Sequence, residues 1–280
     1  MDILERINEL YPLFTKKQKG IADYLLANPE EISYITLAQL SQHTSASELT
    51  ILRFCQKLGY PSFLDLKEQF RDYTQKMIKL ASSSSYFVPE LVSCEAPERE
   101  RMLQEICSSE ALSFADFFSN FSLEPVARVS DEIRKSSRIF IYAHDLSKVP
   151  GEFLKCRLQN LSFNALLIDL ADLDETQRTL RQLTNGDMVI FFSFPRYYFP
   201  IGNIAKKAAD TGVPVLTITD SDASPAARHS THLLLCPTST KFFYNSMTVP
   251  MALLNILASC LVIDSVSPSD RQTFIETLSS

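Results

Sequence analysis

Between residues 36 and 60 the apolar side chains recur at helical spacing on both sides of a short polar break. Thr36 followed three residues later by Gln39 is a capping-box pattern, which predicts that a helix starts there. Beyond the break, Ser47 can cap a second helix that ends before Gly59. The stretch is therefore predicted to form two short helices joined by a tight turn.

The second of these helices has a buried and an outer face. The apolar residues at positions i, i+3, i+4 and i+7 make the buried face: Ile51, Phe54, Cys55 and Leu58. The outer face presents Glu48, Leu49, Leu52, Arg53 and Gln56, with Ser47 and Thr50 near the N-terminus. Any helical hairpin in a bundle has a buried and a solvated face. Hydroxyl groups at a helix N-terminus followed by an arginine also suit the DNA major groove, so the spacing leaves both interpretations open.

Apolar spacing predicts further helices on both sides of this hairpin. One helix covers residues 2–10 and a second covers 15–29, where it opens with a capping box and stops at a proline. Residues 30–35 are expected to make one turn, and a last helix is expected over 62–80. Residues 1–80 are therefore predicted to form an all-α domain of about five helices.

The next segment has the composition of a linker. Residues 81–105 contain a serine run, two prolines and little periodicity. Helical spacing then resumes, with an apolar surface that is larger than one core face needs: Leu112, Phe114, Phe117, Phe118 and Phe121. Burial between two subunits and burial deep within the chain's own domain both explain this surface.

From residue 137 onwards the hydrophobic period changes. Continuous apolar runs of strand length alternate with helical segments: 138–143, 165–170, 187–194, 214–220 and 232–238. Strands that are apolar along their whole length predict a parallel sheet with helices on both faces. Right-handed crossovers then make residues 106–280 a doubly wound α/β domain with five strands. A last helix that is apolar nearly all round is expected to be buried, within the domain or against a partner.

The charge balance limits how the chain can bind nucleic acid. The chain has 27 Lys and Arg residues against 33 Asp and Glu residues, and this net charge of −6 argues against a general polyanion binder. Residues 1–80 hold ten basic and ten acidic residues. DNA binding by that domain would therefore need a local patch rather than bulk charge.

The composition indicates a cytoplasmic protein. No apolar run reaches the roughly 18 residues that a membrane span needs, and the N-terminus lacks the basic and then apolar pattern of a secretion signal. The six cysteines are scattered without a C-x-x-C pair, so free thiols are expected. We therefore expect no membrane partner, no metal site and no cofactor.

The hairpin carries a distinctive run of residues, TILRFCQKLGY from Thr50 to Tyr60, preceded by Leu40-Ser41 and Ala46-Ser47-Glu48. These residues resemble the N-terminal helix-turn-helix domain of the RpiR family of bacterial transcriptional regulators, whose usual pattern is close to L-A-x-x-x-x-V-S-x-x-T-V-x-R-F-x-x-x-L-G-[FY], and the run from Thr50 to Tyr60 fits it nearly throughout. Ser45 stands where the family usually has glycine, and Ala46 where it has valine. The resemblance implies operator DNA as a partner, and we predict these DNA-binding residues: Ser45, Ser47, Glu48, Thr50, Arg53 and Lys57.

Two segments follow the first and third predicted strands: Ala143-His144-Asp145-Leu146-Ser147 and Ser193-Phe194-Pro195-Arg196-Tyr197-Tyr198. This half resembles the SIS domain, a sugar-phosphate isomerase-like fold that usually follows the RpiR helix-turn-helix. Together the two resemblances cover about residues 1–265. The family often has G-x-G-x-S in the first segment and S-x-S-G-x-[ST] in the second. The glycines and most of the hydroxyl cradle for a sugar phosphate are therefore replaced in this chain.

Ligands of doubly wound sheets bind beyond the carboxyl ends of the strands. Arg196 can grip a carboxylate or phosphate there at two points, although it can equally be a surface or interface arginine. The other candidates also occur as plain helix caps or loop residues: Ser147, Ser193, Tyr197, Ser221 and Ser224. Phe242, Tyr244, Asn245 and Ser246 could close the pocket. The predicted ligand is a small anionic metabolite, namely a sugar phosphate, a sugar acid or another carboxylate.

Two classes of function remain. An isomerase would need a general acid and base over its substrate, and His144 with Asp145 is such a pair, but the phosphate cradle that would orient the substrate is missing. We therefore predict a ligand-responsive transcriptional regulator that is not an enzyme, with a sugar-phosphate isomerase-like enzyme as the alternative. The resemblance implies a homodimer or tetramer in which the ligand changes the spacing of two helix-turn-helix units on a palindromic operator.

Overall fold

The computed structural model describes residues 2–29, 32, 35–83, 95–198, 200–240, 245–267, 270 and 276. Contacts between Cα atoms divide the chain into two compact units, Met1–Ser85 and Tyr86–Ser280. The predicted turn at 30–35 is described only at residues 32 and 35. Phe242 and Tyr244, two of the residues that could close the pocket, lie outside the described residues.

The N-terminal unit is helical in its described part. Its helices are α1 Ile3–Leu10, α2 Lys16–Ala27, α3 Leu37–Thr44, α4 Glu48–Leu58 and α5 Phe63–Ser83. Asp2, Thr15 and Thr36 each form a capping box, so α1, α2 and α3 begin where a side chain satisfies a backbone N–H group. One core of buried apolar side chains joins all of these helices. The prediction of an all-α architecture is confirmed.

The C-terminal unit begins with α6 Ala96–Asn120 and α7 Glu124–Lys135. Strands and helices then follow: β1 Arg138–Ala143, α8 Lys148–Asn160, β2 Ala165–Asp169, α9 Leu173–Arg181, β3 Asp187–Ser193, α10 Ile201–Asp210, β4 Val215–Thr219, β5 His232–Leu235 and α11 Thr248–Ser265. The order across the sheet is β2-β1-β3-β4-β5, and each pair of neighbours is parallel. The predicted doubly wound sheet of five strands is confirmed.

Helices cover both faces of the sheet. Side chains of α7, α8 and α11 share one core with strand residues such as Ile141 and Ile190. Tyr142 points to the opposite face, where its hydroxyl donates to Thr179 of α9 at 2.8 Å. In the sheet, β2 lies on one side of β1 and β3 lies on the other side. The right-handed crossovers from β1 to β2 and from β2 to β3 therefore place α8 and α9 on opposite faces. The direction of the winding therefore reverses between β1 and β3.

The start of α6 corrects one prediction. Residues 96–105, which the composition assigns to the linker, are helical because α6 begins at Ala96. No residue of α6 is buried, so the segment lacks the apolar spacing that would have revealed a helix. Pro97 in the first turn was the local signal. Within the phenylalanine-rich surface, Phe117 and Phe121 pack against the core of the unit, whereas Leu112 remains exposed.

The helix α11 also departs from expectation in one respect. Its 18 residues are long and apolar enough to cross a membrane by length and composition alone, although the sequence suggested that no run reaches this length. Core helices of globular domains pass the same test. Val249, Leu253 and Leu257 are buried in the core that α11 shares with the sheet.

Candidate functional site

Local hydrogen bonds set the turn between α3 and α4. Ser45 follows α3 in the left-handed conformation with a φ of 51°, and its amide donates to the carbonyl of Gln42. The Ser47 hydroxyl accepts from the amide of Thr50 at 3.3 Å and so caps α4. Gly59 ends α4 with a φ of 92°, a conformation that glycine adopts without steric cost. The ends of both helices are therefore encoded by neighbouring residues, as predicted.

The two faces of α4 lie where the spacing places them. Its apolar face is fully buried in the helical core: Ile51, Phe54, Cys55 and Leu58. Most of the predicted DNA-binding side chains are exposed: Ser45, Ser47, Glu48, Arg53 and Lys57. Thr50 is half-buried, and its hydroxyl lies 2.8 Å from that of Ser47. The outer face of α4 therefore offers hydroxyl groups at its start and a guanidinium farther along.

The two cations of α4 have different surroundings. The ammonium of Lys57 donates to the carbonyl of Leu13 and lies 5.7 Å from the ring centroid of Phe14. Lys57 thereby ties the end of α4 to the turn that precedes α2. Lys57 is therefore engaged within the unit, whereas Arg53 is exposed on the outer face of α4.

The strained turn residue gives a first prediction. Ser45→Gly is expected to stabilise the N-terminal unit by about 0.5–1 kcal/mol, because a non-glycine residue at positive φ carries a steric cost that glycine lacks. Thermal denaturation of the full chain measures the change, with Ser45→Ala as the control that cannot relieve the strain. A lower melting temperature for Ser45→Gly than for Ser45→Ala would contradict the assigned turn.

The second group of predicted residues lies beyond the carboxyl ends of the strands. Ser193 ends β3, is only 1% exposed, and its hydroxyl has no hydrogen-bond partner among the described residues. Ser224, in the loop after β4, is also 1% exposed, and its hydroxyl likewise has no hydrogen-bond partner among the described residues. Thr219, paired with Ser193 in the sheet, donates to its carbonyl. Buried hydroxyl groups without partners are uncommon, so they mark this edge as a candidate ligand site.

Three further predicted residues have local surroundings. Ser147 precedes α8 without capping it through its side chain. The Ser221 hydroxyl accepts from the amide of Ala223 at 3.1 Å, which stabilises its own loop. The Tyr197 hydroxyl donates to Asp220 at 2.8 Å, and burial followed by this hydrogen bond raises the pKa of Tyr197 to about 12. Tyr197 therefore stays protonated, and its hydroxyl oxygen can accept a hydrogen bond from a ligand.

The loop after β3 is anchored on both sides of Arg196. Arg196 has a φ of 66°, which non-glycine residues rarely adopt. The carbonyl of Pro195 accepts from the side chain of Asn245 at 3.1 Å, and Asn245 in turn accepts from Thr238 at 2.9 Å. On the other side, Tyr197 is held by its own hydrogen bond. Backbone strain of this kind clusters at ligand-binding loops, so Arg196 remains a candidate anion ligand.

Sequence reasoning missed a charged pair between the start of α8 and the end of β2. The ammonium of Lys148 lies 2.6 Å from Asp169, the last residue of β2. His144 Nδ1 lies 3.7 Å from the other oxygen of Asp169, which is too long for a hydrogen bond. Burial lowers the pKa of His144 although the Asp169 carboxylate opposes this, so the imidazole is neutral at pH 7. The rule that directs attention to strand ends could have found Asp169.

The described residues at this edge include charged and hydroxyl groups that can bind a ligand. Arg196 contributes positive charge, Asp169 offsets the charge of Lys148, and Ser193 and Ser224 contribute hydroxyl groups. Within the described ranges, no group of three or more His, Cys, Asp or Glu side chains could hold a metal ion. Such an arrangement can bind an oxyanion or a hydroxyl-rich compound.

Comparisons with known families divide the chain in the same way. The model of the rpiR-family helix-turn-helix domain matches residues 1–77, and the model of the SIS domain matches residues 132–260. An uncharacterised HTH-type transcriptional regulator of Haemophilus influenzae is 25% identical over 236 residues, which are 84% of this chain and 79% of the relative.

Solved structures share the fold. The sugar isomerase domain of an RpiR transcription factor from Sphaerobacter thermophilus has a TM-score of 0.56 at 20% identity and covers 64% of this chain and 98% of its own. The Vibrio vulnificus NanR protein complexed with ManNAc-6P has a TM-score of 0.50 at 20% identity, over 99% of this chain and 97% of its own. Because both family models match in the order in which the two units follow each other, the chain belongs to the rpiR family of helix-turn-helix transcriptional regulators with a SIS domain.

Proposed function

We propose that this regulator binds operator DNA through α4 and changes its affinity for DNA when a small anionic metabolite binds at the carboxyl edge of the sheet. The observation that carries the proposal is the outer face of α4, where Arg53 is exposed while the opposite face is fully buried. DNA binding belongs to residues 1–80 and effector binding to residues 106–280. The protein acts in the cytoplasm as a homodimer or tetramer on a palindromic site.

The effector is a sugar phosphate, a sugar acid or another carboxylate. NanR, which shares the fold, holds ManNAc-6P. This chain has the buried hydroxyl groups of Ser193 and Ser224 at the sheet edge, and Arg196 lies in the loop after β3. A guanidinium pairs with carboxylate and phosphate alike, which supports an anion without selecting among the three classes.

Footprinting on the DNA that flanks the protein's own gene tests this function. The purified full chain is expected to protect a palindromic sequence, and one compound from a panel of phosphorylated sugars and organic acids is expected to alter the protection. The absence of protection at low salt, where even weak DNA binding is detectable, would contradict the proposal.

The anion contact gives a separate prediction. Arg196→Ala is expected to raise the effector concentration needed for half-maximal response by about tenfold, because a charge-assisted contact to the anion is lost. DNA binding is measured by footprinting across an effector titration. Arg228→Ala, which removes the same charge from an exposed arginine in the loop after β4, serves as the control. An unaltered response in Arg196→Ala would exclude Arg196 as the anion ligand.

An isomerase-like activity is the second candidate, since His144 and Asp169 lie near each other at the sheet edge. A general base must be unprotonated, and it must reach the proton that it abstracts. The neutral imidazole of His144, just after β1, meets the first of these two requirements. An assay of aldose–ketose interconversion with phosphorylated sugars decides between the two. We expect no turnover above that of a His144→Ala variant.

A further inference from the structure

Tyr198 occupies the part of the sheet edge where ligands of doubly wound folds bind. With the strand order β2-β1-β3-β4-β5, that crevice opens between β1 and β3. The ring centroid of Tyr198 lies 4.5 Å from that of His144, at the end of β1. Its hydroxyl donates to the carbonyl of Leu170, just after β2, at 2.8 Å. The side chain therefore reaches from the loop after β3 across the end of β1 to the end of β2, and it is only 6% exposed.

The register between β1 and β3 brings two polar side chains together at this edge of the sheet. Tyr142 and Phe191 are paired in the sheet and stack on one of its faces, and two residues farther along each strand are His144 and Ser193. Because side chains alternate along a strand, His144 and Ser193 are neighbours on that same face. The Ser193 hydroxyl and the Nδ1 atom of His144 are both buried without a hydrogen-bond partner among the described residues.

The helix on this face contributes a third atom of the same kind. Thr176 of α9 is fully buried, and its hydroxyl has no partner in the described part of the chain. Thr179, one turn later, contacts the Tyr142 hydroxyl. The crossover helix runs antiparallel to the strands, so Thr176 lies about 4.5 Å closer to the carboxyl edge than Thr179, on the side of His144.

We propose that Tyr198 is the specificity-determining residue of the effector site. Its side chain covers a hydroxyl-binding pocket formed by Ser193, Thr176 and His144, and we call this covering side chain the stopper. Buried hydroxyl and imidazole groups are satisfied by a compound that both donates and accepts hydrogen bonds, as the hydroxyl groups of a sugar derivative do. Ligands of this class enter when the Tyr198 side chain leaves Leu170. This inference rests on the proposed function and names the residue that controls access to its site.

Calorimetric titration of the full chain with ManNAc-6P tests the stopper, with inorganic phosphate as the parallel probe. Tyr198→Ala is expected to bind ManNAc-6P at least about tenfold more tightly than the wild type, since the ligand no longer displaces a ring and its hydrogen bond. Tyr198→Phe keeps the ring but loses the bond to Leu170, so a gain of about threefold is expected even if the alanine variant folds poorly. Adding Ser193→Ala to Tyr198→Ala should abolish the gain.

Several results would overturn the stopper. They are an affinity of both Tyr198 variants within about twofold of the wild type, a gain that survives Ser193→Ala, and an equal gain for inorganic phosphate, which has no sugar hydroxyl groups. Footprinting of the wild-type chain separates this inference from the proposed function. A protein that protects its operator but shows no gain in the Tyr198 variants refutes the stopper alone, whereas a gain without operator protection refutes the DNA-binding role alone.

Discussion

Arg53→Ala is expected to weaken operator binding about 100-fold, because a palindromic operator loses one arginine-to-guanine contact in each half-site, each worth about 1–3 kcal/mol. Arg53 is exposed and lies one turn beyond the hydroxyl groups that begin α4. Its side chain is outside the helical core, so the N-terminal unit should retain its melting temperature. Titration of the operator with the purified full chain, at one stated salt concentration, measures the loss.

Two variants separate base reading from bulk charge. Arg53→Lys retains the charge but lacks the planar fork, and is expected to lose discrimination between the operator and a point-mutated site. Arg128→Ala removes an exposed arginine from α7, in the other unit, and should leave the affinity unchanged. If Arg53→Ala binds within about twofold of the wild type, α4 is not the reading helix.

The helical unit was predictable because its signals are local. The ends of α3 and α4 depend on Thr36, Ser47 and Gly59, each of which acts on a backbone group within four residues of itself. The buried face of α4 follows from spacing alone. Contacts between distant residues carry no such signal, and the bond from Lys57 to the Leu13 carbonyl spans 44 positions.

The site was predictable only in part for the same reason. Continuous apolar strands predicted the sheet and hence the edge where Ser193 and Arg196 lie. The loop after β3 is shaped by long-range bonds, including that from Tyr198 to Leu170, and no local pattern encodes them. The first half of α6 escaped detection because an exposed helix has no apolar period.

The largest expected effect on stability concerns a carboxylate buried at the other end of the sheet. Asp187 is 1% exposed and accepts hydrogen bonds from Arg138 at 2.6 and 2.8 Å, and from the amide of Thr184 at 2.7 Å. Arg138→Met is expected to destabilise the C-terminal unit by about 3 kcal/mol, because it leaves a buried charge without its cation. Asp187→Asn should cost less, since Arg138 is one-third exposed and regains water.

The pH dependence of this loss distinguishes the ion pair from simple packing. Burial raises the pKa of Asp187, but the hydrogen bonds from Arg138 and Thr184 outweigh it and hold the pKa below its ordinary value. A carboxylate with a depressed pKa contributes stability that is present above about pH 4 and is lost as the pH falls through its folded pKa. The difference in unfolding free energy between the wild type and Arg138→Met, measured by urea unfolding of the full chain, should therefore be largest near neutral pH and shrink below about pH 4.

Arg128→Met, at an exposed ion pair, is the control and should cost less than about 0.5 kcal/mol. A deficit in Arg138→Met that stays constant from neutral to acid pH would mean that packing of the long side chain, and not its charge, stabilises the sheet.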